Sequence, residues 1–541
     1  MKPGWKKLAI ALLAVGILAG GAFGDRVLAI SDDARRVLRT YTELLQVAHD
    51  SYGGEVTYQE LVESSIAGML RTLDPHSSFL PGEAYSSMRE RQQESFYGLG
   101  ILVGMRHDRL TVITPIEGTP ASRMGLRAGD VISAIEGEST ETMSLDDAVS
   151  KLKGPKGTEV TIEVMRAGLD EPLELTITRD EIPQNTVRYA YMMTPETGYV
   201  SVSDFNRGTS SEVAEALDRL RTEGMENLIL DLRGNGGGLL DQAIAVSDLF
   251  LNEGAQIVST RGRTRDSHQK YFATNQPPAL DIPIIVLVGS GTASAAEIVS
   301  GAIQDHDMGL IVGTPTWGKG LVQTVYSLPY NAGLALTTAK YYTPSGRLIQ
   351  RDYTSYFDYH VVDAPNGGLT PTEAAADESR KVFRTDLGRE VYGGGGITPD
   401  VLVEPLSLSP EIQYLLSQNS FFDFAVEYML DHEIPDRQWR PEPDLVGEFS
   451  EWLLSKDLVS QEEVDTMLGD TETLAAMQRY LHAEIFNSAF GLEARFEALA
   501  PGDQQIARAL ELLGEASELL ARRRDLDRTE RPEVAPTSAV G

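Results

Sequence analysis

The sequence predicts a multidomain protein that combines α/β and α+β architecture, with helical regions at both ends. Its 541 residues exceed the usual length of one domain, which is about 100–200 residues. Apolar residues recur at helical spacing near residues 37–70 and 421–520, whereas short apolar runs alternate with helical patterns between residues 183 and 405. Strands that alternate with helices favour a largely parallel or mixed sheet in this middle part.

The first 30 residues have the pattern of an export signal. Three lysines precede an apolar run at residues 8–23, which is short for a membrane span of ~20 apolar residues. The pattern predicts a secretory signal cleaved near Ala22-Phe23-Gly24, or an uncleaved membrane anchor at the N-terminus. Because the positive flank stays inside, we expect the rest of the chain in the bacterial periplasm or on the outer face of the inner membrane.

Composition argues against several classes of function. The net charge of −33 and the pI near 4.6 argue against nucleic acid and anionic lipid as partners. The chain has no cysteine, which excludes disulfides and cysteine nucleophiles. No histidine pair has HxxxH spacing, and Asp305-His306-Asp307 is a weak candidate for a metal site. We therefore predict no metal and no cofactor.

Residues 31–95 are predicted to be helical. One apolar stripe spans residues 37–45 and another spans residues 61–70. Pro75 ends the second helix within the run Leu73-Asp74-Pro75-His76-Ser77, because the residue before a proline is disfavoured in helical conformation.

Short strands and turns are predicted from residue 96 to residue 182. Tyr97-Gly98-Leu99-Gly100-Ile101 lacks the third glycine of a dinucleotide fingerprint and the helix that should follow it. It resembles the carboxylate-binding loop of PDZ domains, and the run G-L-R-A-G-D-V-I at residues 125–132 is similar to their G-L-x-x-G-D-x-I signature. The resemblance implies a PDZ domain with a flanking helix at residues 145–152.

In such a domain, Leu99, Gly100 and Ile101 would bind the C-terminus of a peptide. Backbone amides at a glycine-rich turn form a nest for the terminal carboxylate, and a strand edge pairs with the peptide. We expect partners to be proteins or peptides with free, apolar C-termini.

The centre of the chain holds three side chains suited to joint chemistry: Ser294, Lys319 and Gln323. The apolar run Ile284–Val288 predicts a buried strand, and a helical pattern follows at residues 295–303. Ser294 should therefore lie at a strand-to-helix turn, where N–H groups of the helix N-terminus face its hydroxyl. A serine nucleophile needs a base, and a lysine becomes one only if burial lowers its pKa.

Each of these residues also has an ordinary interpretation when taken alone. A serine before a helix is usually an N-cap, and a lysine is usually solvated. Residues 313–319 fit seven positions of a P-loop, but the eighth is glycine and a strand-like alternation follows, so we reject a nucleotide site. A serine–histidine triad through His306 or His268 remains an alternative.

Together the motifs resemble the carboxyl-terminal processing (tail-specific) protease family of PDZ-containing serine–lysine peptidases. The run S-A-A-E at residues 294–297 is similar to the family's S-A-x-x-E, with Glu297 one place early. The run T-W-G-K-G-L-V-Q at residues 316–323 matches T-x-G-K-G-x-x-Q, and its lysine follows the serine by 25 residues, as in the family. The resemblance implies a mixed-sheet protease core with Ser294 as nucleophile, Lys319 as base and Gln323 orienting Lys319.

The resemblance covers residues from about 37 to 400 and extends to an oxyanion loop. Asp231-Leu232-Arg233, followed by asparagine and glycines, is similar to that loop in the family. It implies an oxyanion hole at Gly236 or Gly237, paired with the amide of Ala295. Three further segments resemble the family and receive structural or substrate-groove roles: residues 73–77 with a structural His76, residues 341–347, and residues 396–400.

Beyond residue 405 the chain is predicted to be helical and acidic, with a disordered tail from Thr529. A stripe between Ile506 and Leu520 is either a homodimer seam or a face that packs on its own domain. An excursion loop is predicted at residues 353–395. The predicted domains are a signal or anchor at 1–30, a helical region at 31–95, a PDZ domain at 96–182, a serine peptidase core at 183–405 and a C-terminal helical region at 406–541.

Two functions are compatible with this organisation. The first is an exported serine endopeptidase that captures C-terminal tails through its PDZ domain and hydrolyses peptide bonds by a Ser-Lys-Gln mechanism. The second is a non-catalytic PDZ scaffold that binds C-terminal peptides with idle protease residues. The intact set of Ser294, Lys319 and Gln323 favours the first.

Overall fold

A computed structural model describes residues 32–274, 280–351, 380–442 and 444–530. The predicted export signal and most of the predicted tail lie outside these ranges. Within them, no helix combines the length and the apolar character that a membrane span requires.

The α-helices of the described residues are numbered here in chain order. They are α1 (Asp32–Ser51), α2 (Tyr58–Arg71), α3 (Gly82–Arg91), α4 (Pro120–Arg123), α5 (Leu145–Leu152), α6 (Thr209–Thr222), α7 (Leu240–Asp248), α8 (Ala295–Asp305), α9 (Pro410–Ser417), α10 (Ser420–Asp431), α11 (Leu445–Ser455), α12 (Gln461–Gly469), α13 (Thr471–Phe490), α14 (Leu492–Leu499), α15 (Gln504–Glu511) and α16 (Leu513–Glu530).

The strands follow the same numbering. They are β1 (Ser78–Leu80), β2 (Ser95–Gly98), β3 (Ile101–Arg106), β4 (Arg109–Pro115), β5 (Val131–Ile135), β6 (Glu138–Ser139), β7 (Glu159–Met165), β8 (Leu173–Thr178), β9 (Asp180–Pro183), β10 (Val187–Met192), β11 (Thr197–Val202), β12 (Asn227–Asp231), β13 (Gln256–Gly262), β14 (Gln269–Phe272), β15 (Ile284–Val288), β16 (Leu310–Gly313), β17 (Leu321–Leu328), β18 (Ala332–Tyr342), β19 (Val382–Arg384), β20 (Glu390–Tyr392) and β21 (Val401–Leu402).

The central sheet has six strands in the order β10-β11-β12-β15-β16-β21. β10 is antiparallel to β11, and the other neighbours are parallel. Because side chains alternate between the faces of a strand, Leu230 and Val286 enter one apolar core, whereas Ile229 and Ile285 enter another. The mixed sheet confirms the predicted fold class.

Helices cover both faces of this sheet. α6, α7 and α8 pack on one face, and α15 and α16 pack on the other with Ile506, Ala509 and Leu519 buried. The stripe between Ile506 and Leu520 therefore packs on the chain's own sheet, so its interpretation as a dimer seam is wrong. The single helix expected there is two helices, which meet at Leu512.

Smaller sheets accompany the central one. β17 and β18 form a hairpin, and β18 continues into a sheet with β1, β13 and β14. β17 follows Lys319 directly, which confirms the strand that argued against a P-loop. β19 and β20 form an antiparallel hairpin, so residues 382–392 are not the loop that was expected there. Residues 352–379 lie outside the described residues.

The PDZ unit is a sheet in the order β3-β4-β5-β7-β8, with β6 on β5 and α5 at its side. β2 pairs with β9, residue Ser95 opposite Pro183. The two strands that connect the unit to the rest of the chain are thus joined to each other, which suits an inserted domain. Helices α9 to α14 form a separate apolar core, and Asp423 of α10 contacts His107 of the PDZ unit at 2.7 Å.

Candidate active site

Ser294 lies where the buried strand β15 passes into helix α8. β15 lies between β12 and β16 in the central sheet, and Ser294 is the N-cap of α8 with φ 54° and ψ −111°. A residue with a Cβ in such a region stores on the order of 1–3 kcal/mol of strain, and such strain concentrates at functional sites. A strained strand-to-helix turn is typical of a serine that is presented at the edge of a sheet for catalysis.

Glu297, in the first turn of α8, joins Ser294 to the segment that carries Lys319. Its Oε2 accepts hydrogen bonds from the N–H groups of Ser294 (2.8 Å) and Lys319 (2.9 Å). Its Oε1 accepts from the N–H of Gly318 (2.8 Å) and the hydroxyl of Thr316 (2.5 Å). The side chain is fully buried, so this one carboxylate sets the position of the serine relative to the lysine segment.

The ionised form of Glu297 fits this arrangement. Burial raises the pKa of the carboxyl, and the four hydrogen bonds act in the opposite direction. Three partners are backbone N–H groups, which only donate. Thr316 already accepts from the N–H of Ile397 at 2.7 Å, so its own proton points to Glu297. A protonated carboxyl would place its O–H against a donor.

Lys319 begins the segment that leads into β17. Burial lowers the pKa of its ammonium, and the negative charge of Glu297 opposes that shift. The side chain is half-buried, and among the described residues no acceptor for its hydrogen bonds is present. A lysine with a lowered pKa and no ion pair can be neutral and accept a proton.

Glycines on either side of Lys319 are required by close backbone approaches. A Cβ at Gly318, where φ is 85°, would lie 2.8 Å from the nitrogen of Gly396. A Cβ at Gly320 would lie 2.7 Å from the nitrogen of Gln350. The G-K-G run thus packs Lys319 between two backbone segments.

Gln323 is in β17, and its amide is held from the N-terminal region. Its Nε2 donates to the carbonyl of His76 at 2.5 Å, and the N–H of His76 donates to Asp74 at 2.8 Å. Among the described residues no hydrogen bond joins the side chains of Gln323 and Lys319, and the contact with His76 occupies only the amide nitrogen of Gln323. The support role of residues 73–77 agrees with this contact, since Asp74 also accepts from Thr337 of β18 at 3.0 Å.

Tyr341 links the serine and the lysine through their carbonyl groups. Its hydroxyl lies 3.0 Å from the carbonyl oxygen of Ser294 and also hydrogen bonds to that of Lys319. The ring is buried in the main core. Sequence reasoning placed Tyr341 in a structural or substrate-groove segment, because nothing local in T-A-K-Y-Y-T-P indicates a contact 47 residues away.

The oxyanion loop, residues 233–238, follows β12 and lies beside Ser294. A Cβ at Gly237 would lie 2.7 Å from the Cβ of Ser294 and 3.0 Å from the nitrogen of Ala295. The N–H of Gly237 donates to Asn235 Oδ1 at 2.8 Å, so of the two predicted glycines Gly237 already has an acceptor for its N–H. Within the described residues, the N–H groups of Gly236 and Ala295 have no acceptor, and both stay available to a ligand.

Neither histidine of the alternative serine–histidine triad is positioned to act as the base for Ser294. His306 caps the far end of α8, about 16 Å along a helix of 11 residues. Its ring nitrogens contact Asp386 and the carbonyl of Gln256, both at 2.8 Å. His268 contacts the carbonyl of Gly262 at 2.7 Å in the β13–β14 hairpin.

The two aspartates of the weak metal candidate around His306 form ion pairs with arginines. Asp305 contacts Arg347 at 2.7 Å and Asp307 contacts Arg389 at 2.6 Å. Across the described ranges, no group of three or more histidine, aspartate or glutamate side chains is arranged to hold a metal.

The predicted peptide-binding residues lie at the start of β3. Leu99 is buried in the PDZ core, and Gly100 has φ 78°. The carbonyls of Leu99 and Gly100 accept from Ala121 and Ile116, both at 2.9 Å, while their N–H groups have no acceptor among the described residues. β3 is the last strand of its sheet, so its outer edge is open to a further strand.

Two parts of the chain are similar to known protein families. The profile of Peptidase family S41 matches residues 196–356, and that of the PDZ domain matches residues 111–166. The carboxy-terminal-processing protease of Bartonella bacilliformis is 44% identical over 296 residues, which cover 54% of this chain and 68% of the relative. The chain belongs to the carboxy-terminal-processing proteases of family S41.

Other processing proteases are similar to a comparable share of the chain. The carboxyl-terminal-processing protease of Synechocystis is 38% identical over 292 residues, covering 53% of this chain and 68% of the relative. The solved structure of the photosystem II D1 C-terminal processing protease is 30% identical, covers 57% of this chain and 83% of that chain, and has a TM-score of 0.34. As an S41 family member with a PDZ domain, the chain is a serine-type peptidase.

Proposed function

We propose that Ser294 is the nucleophile of this peptidase and that Lys319 is its base. The observation that carries the proposal is the buried Glu297, which bonds the N–H groups of both residues with one carboxylate oxygen. Ser294 in a strained turn and Lys319 with a lowered pKa are the pair that a serine–lysine mechanism needs.

The mechanism follows from the available donors and acceptors. Neutral Lys319 takes the proton of Ser294 as its Oγ attacks the peptide carbonyl carbon. The N–H groups of Gly236 and Ala295 stabilise the oxyanion. The protonated Lys319 then gives its proton to the leaving amine, and water hydrolyses the acyl-enzyme with Lys319 again as base.

Gln323 supports Lys319 from the side of β17. Its Nε2 is held by the carbonyl of His76, which leaves Oε1 as an acceptor for the ammonium that forms during the reaction. In this proposal the N-terminal residues 73–77 fix the amide of Gln323, and Lys319 is charged only while a tetrahedral intermediate is present; it is neutral in the free enzyme and in the acyl-enzyme.

A cavity between α7 and the sheet of β13, β17 and β18 is assigned to the substrate in this proposal. It has a volume of about 730 Å³ and is lined by Leu240, Tyr271 and Val322 among others. Leu240 follows the oxyanion loop and Val322 follows Lys319 in the chain. We therefore place the substrate between the loop and β17.

The PDZ unit captures the substrate by its C-terminal tail. The free N–H groups of Leu99 and Gly100 receive the terminal carboxylate, and the tail pairs with the open edge of β3 beside α5. The last residues of the tail are apolar in this proposal, because Leu99 is part of the apolar PDZ core and the partly buried Ile101 and Leu145 pack against it. The N-terminal lysines and apolar run support export to the periplasm, as a secreted or anchored enzyme.

Cleavage of peptides with an apolar C-terminus tests the proposal. Ser294→Ala should abolish turnover while peptide binding persists. Ser300→Ala is a matched control, because Ser300 is a buried serine of the same helix whose hydroxyl, among the described residues, hydrogen bonds only to the carbonyl of Ala296. It should cleave at nearly the wild-type rate. Turnover by purified Ser294→Ala at the rate of Ser300→Ala would refute the assignment.

A further inference from the structure

Arg233, the first residue of the oxyanion loop, lies in a cluster of polar side chains. Its Nη2 contacts Asp231 Oδ2 at 2.6 Å, and its Nη1 contacts Asp503 Oδ2 at 2.6 Å and Gln505 Oε1 at 2.8 Å. The hydroxyl of Tyr199 donates to Asp231 at 2.6 Å. Only 20% of the Arg233 side chain and 5% of the Asp231 side chain are exposed, so these contacts are weakly screened by solvent.

The middle of the loop is bonded to the nucleophile turn. The carbonyl of Asn235 accepts from the N–H of Ala293 at 2.9 Å, and Asn235 Nδ2 donates to the carbonyl of Val202 at 2.8 Å. Gly236, whose N–H is free for an oxyanion, lies between Arg233 and Gly237. The position of Arg233 therefore bears directly on where that N–H points.

Asp503 and Gln505 come from the far end of the chain, 270 and 272 residues after Arg233. They start helix α15, and Asp503 uses its two oxygens for different tasks. Oδ1 accepts from the N–H groups of Gln505 (2.9 Å) and Ile506 (3.1 Å) and so caps the helix, while Oδ2 accepts from Arg233. α15 is itself fixed, because Ile506 and Ala509 are buried on the central sheet.

We propose that Asp503, assisted by Gln505, is a positioning residue for peptide hydrolysis, which holds Arg233 and with it the Gly236 amide against Ser294. Asp503 lies outside residues 196–356, the part that the S41 profile matches. The C-terminal segment thus completes the active site in cis. This inference rests on the proposed roles of Ser294 and Gly236.

The variant Asp503→Ser removes the contact between Asp503 and Arg233 without removing the cap of α15. Serine is as good an N-cap as aspartate, so α15 keeps its cap, but the shorter side chain no longer reaches Arg233. The same substitution at Asp470, which caps α13 through the N–H of Thr473 and has no contact with the loop, is the matched control. If Asp503→Ser does not fold by circular dichroism, Asp503→Asn, which keeps both cap and size, is the deciding variant.

We expect Asp503→Ser to lower kcat about tenfold or more with little change in KM, because removing a whole oxyanion donor lowers kcat by roughly 10²–10³. The active fraction, counted by the burst amplitude with an activated ester, should equal that of Asp470→Ser. A merely structural role would lower that fraction and leave kcat per active site unchanged. Combining Asp503→Ser with Arg233→Lys should cost less than the sum of the two, since both act through one side chain.

Equal kcat per active site in Asp503→Ser and Asp470→Ser would overturn the inference. So would fully additive effects of the Asp503 and Arg233 substitutions. Ser294→Ala measured in parallel separates the two claims. Turnover by Ser294→Ala would refute the proposed function itself, whereas an inactive Ser294→Ala beside an unaffected Asp503→Ser would refute only the role of Asp503.

Discussion

Replacing Glu297 by glutamine changes one atom of the site and tests how the serine and lysine segments are joined. The carboxylate accepts four hydrogen bonds, two on each oxygen. A glutamine amide retains one acceptor oxygen and places an NH₂ group against the other two donors. Either Ser294 and Lys319, or Thr316 and Gly318, lose their acceptor.

The expected loss of folding free energy follows from the number of hydrogen bonds lost. A hydrogen bond to a charged group contributes about 1.5–3 kcal/mol, so two of them amount to roughly 3–6 kcal/mol of the folding free energy of the core. We therefore expect a clear fall in the thermal midpoint of the peptidase core and a large fall in kcat. Thr316→Val is the control, because it removes one donor and keeps the carboxylate.

The pH profile gives the sharper test. The negative charge of Glu297 raises the pKa of Lys319, so removing that charge should lower this pKa further. Since Lys319 acts as a base in its neutral form, the acid limb of kcat/KM should move to lower pH in Glu297→Gln. Thr316→Val should not show that downward shift. An acid limb that stays in place or moves to higher pH would refute either the ionised Glu297 or the role of Lys319.

The remaining predictions concern the base, the tyrosine and the PDZ unit. Burial lowers the pKa of Lys319, so kcat/KM should fall as pH drops through that pKa. Lys319→Arg should be inactive, because arginine stays protonated. Activity without a lysine at position 319 would contradict the mechanism. Lys319→Met should be inactive, yet at neutral pH it should unfold thermally no more easily than the wild type. The pKa of Lys319 in the folded state lies below 10.5, so protonating this buried lysine at neutral pH lowers the stability of the wild type. Tyr341→Phe should lower kcat between roughly two- and tenfold, the effect of about one hydrogen bond; an unchanged kcat would show that its contact with Ser294 and Lys319 is not used. Amidating the C-terminus of a substrate peptide should raise KM, because the N–H groups of Leu99 and Gly100 lose their carboxylate; equal turnover of both peptides would show that the PDZ unit reads another feature.

Local sequence patterns predicted much of this architecture. Helix α5 has the predicted bounds, and β15 and α8 flank Ser294 as the periodicity of their apolar residues indicated. The exact spacing between Ser294 and Lys319 carried the family resemblance. These features depend on residues close together in the chain, and hydrophobic periodicity reports them well.

The contacts that the sequence did not predict join residues that are far apart in the chain. Glu297 stood in a recognised motif, but its bonds to Gly318 and Lys319 depend on how β15 and β17 are brought together. Arg233 and Asp503 are 270 residues apart, and no local pattern predicts that pair. The amphipathic stripe of α15 and α16 signalled burial without signalling which surface would bury it, so a dimer seam and the central sheet were equally compatible with it.

The most direct test of the account is to identify the residue that carries the acyl group during turnover. An activated ester substrate, acid quench and peptide mapping by mass spectrometry would locate the ester bond in the wild-type enzyme, with Ser294→Ala in parallel. We predict one ester on Ser294, with none in Ser294→Ala and a much slower formation in Lys319→Met. An ester on a different residue, or its formation at an unchanged rate in Lys319→Met, would contradict the serine–lysine site described above.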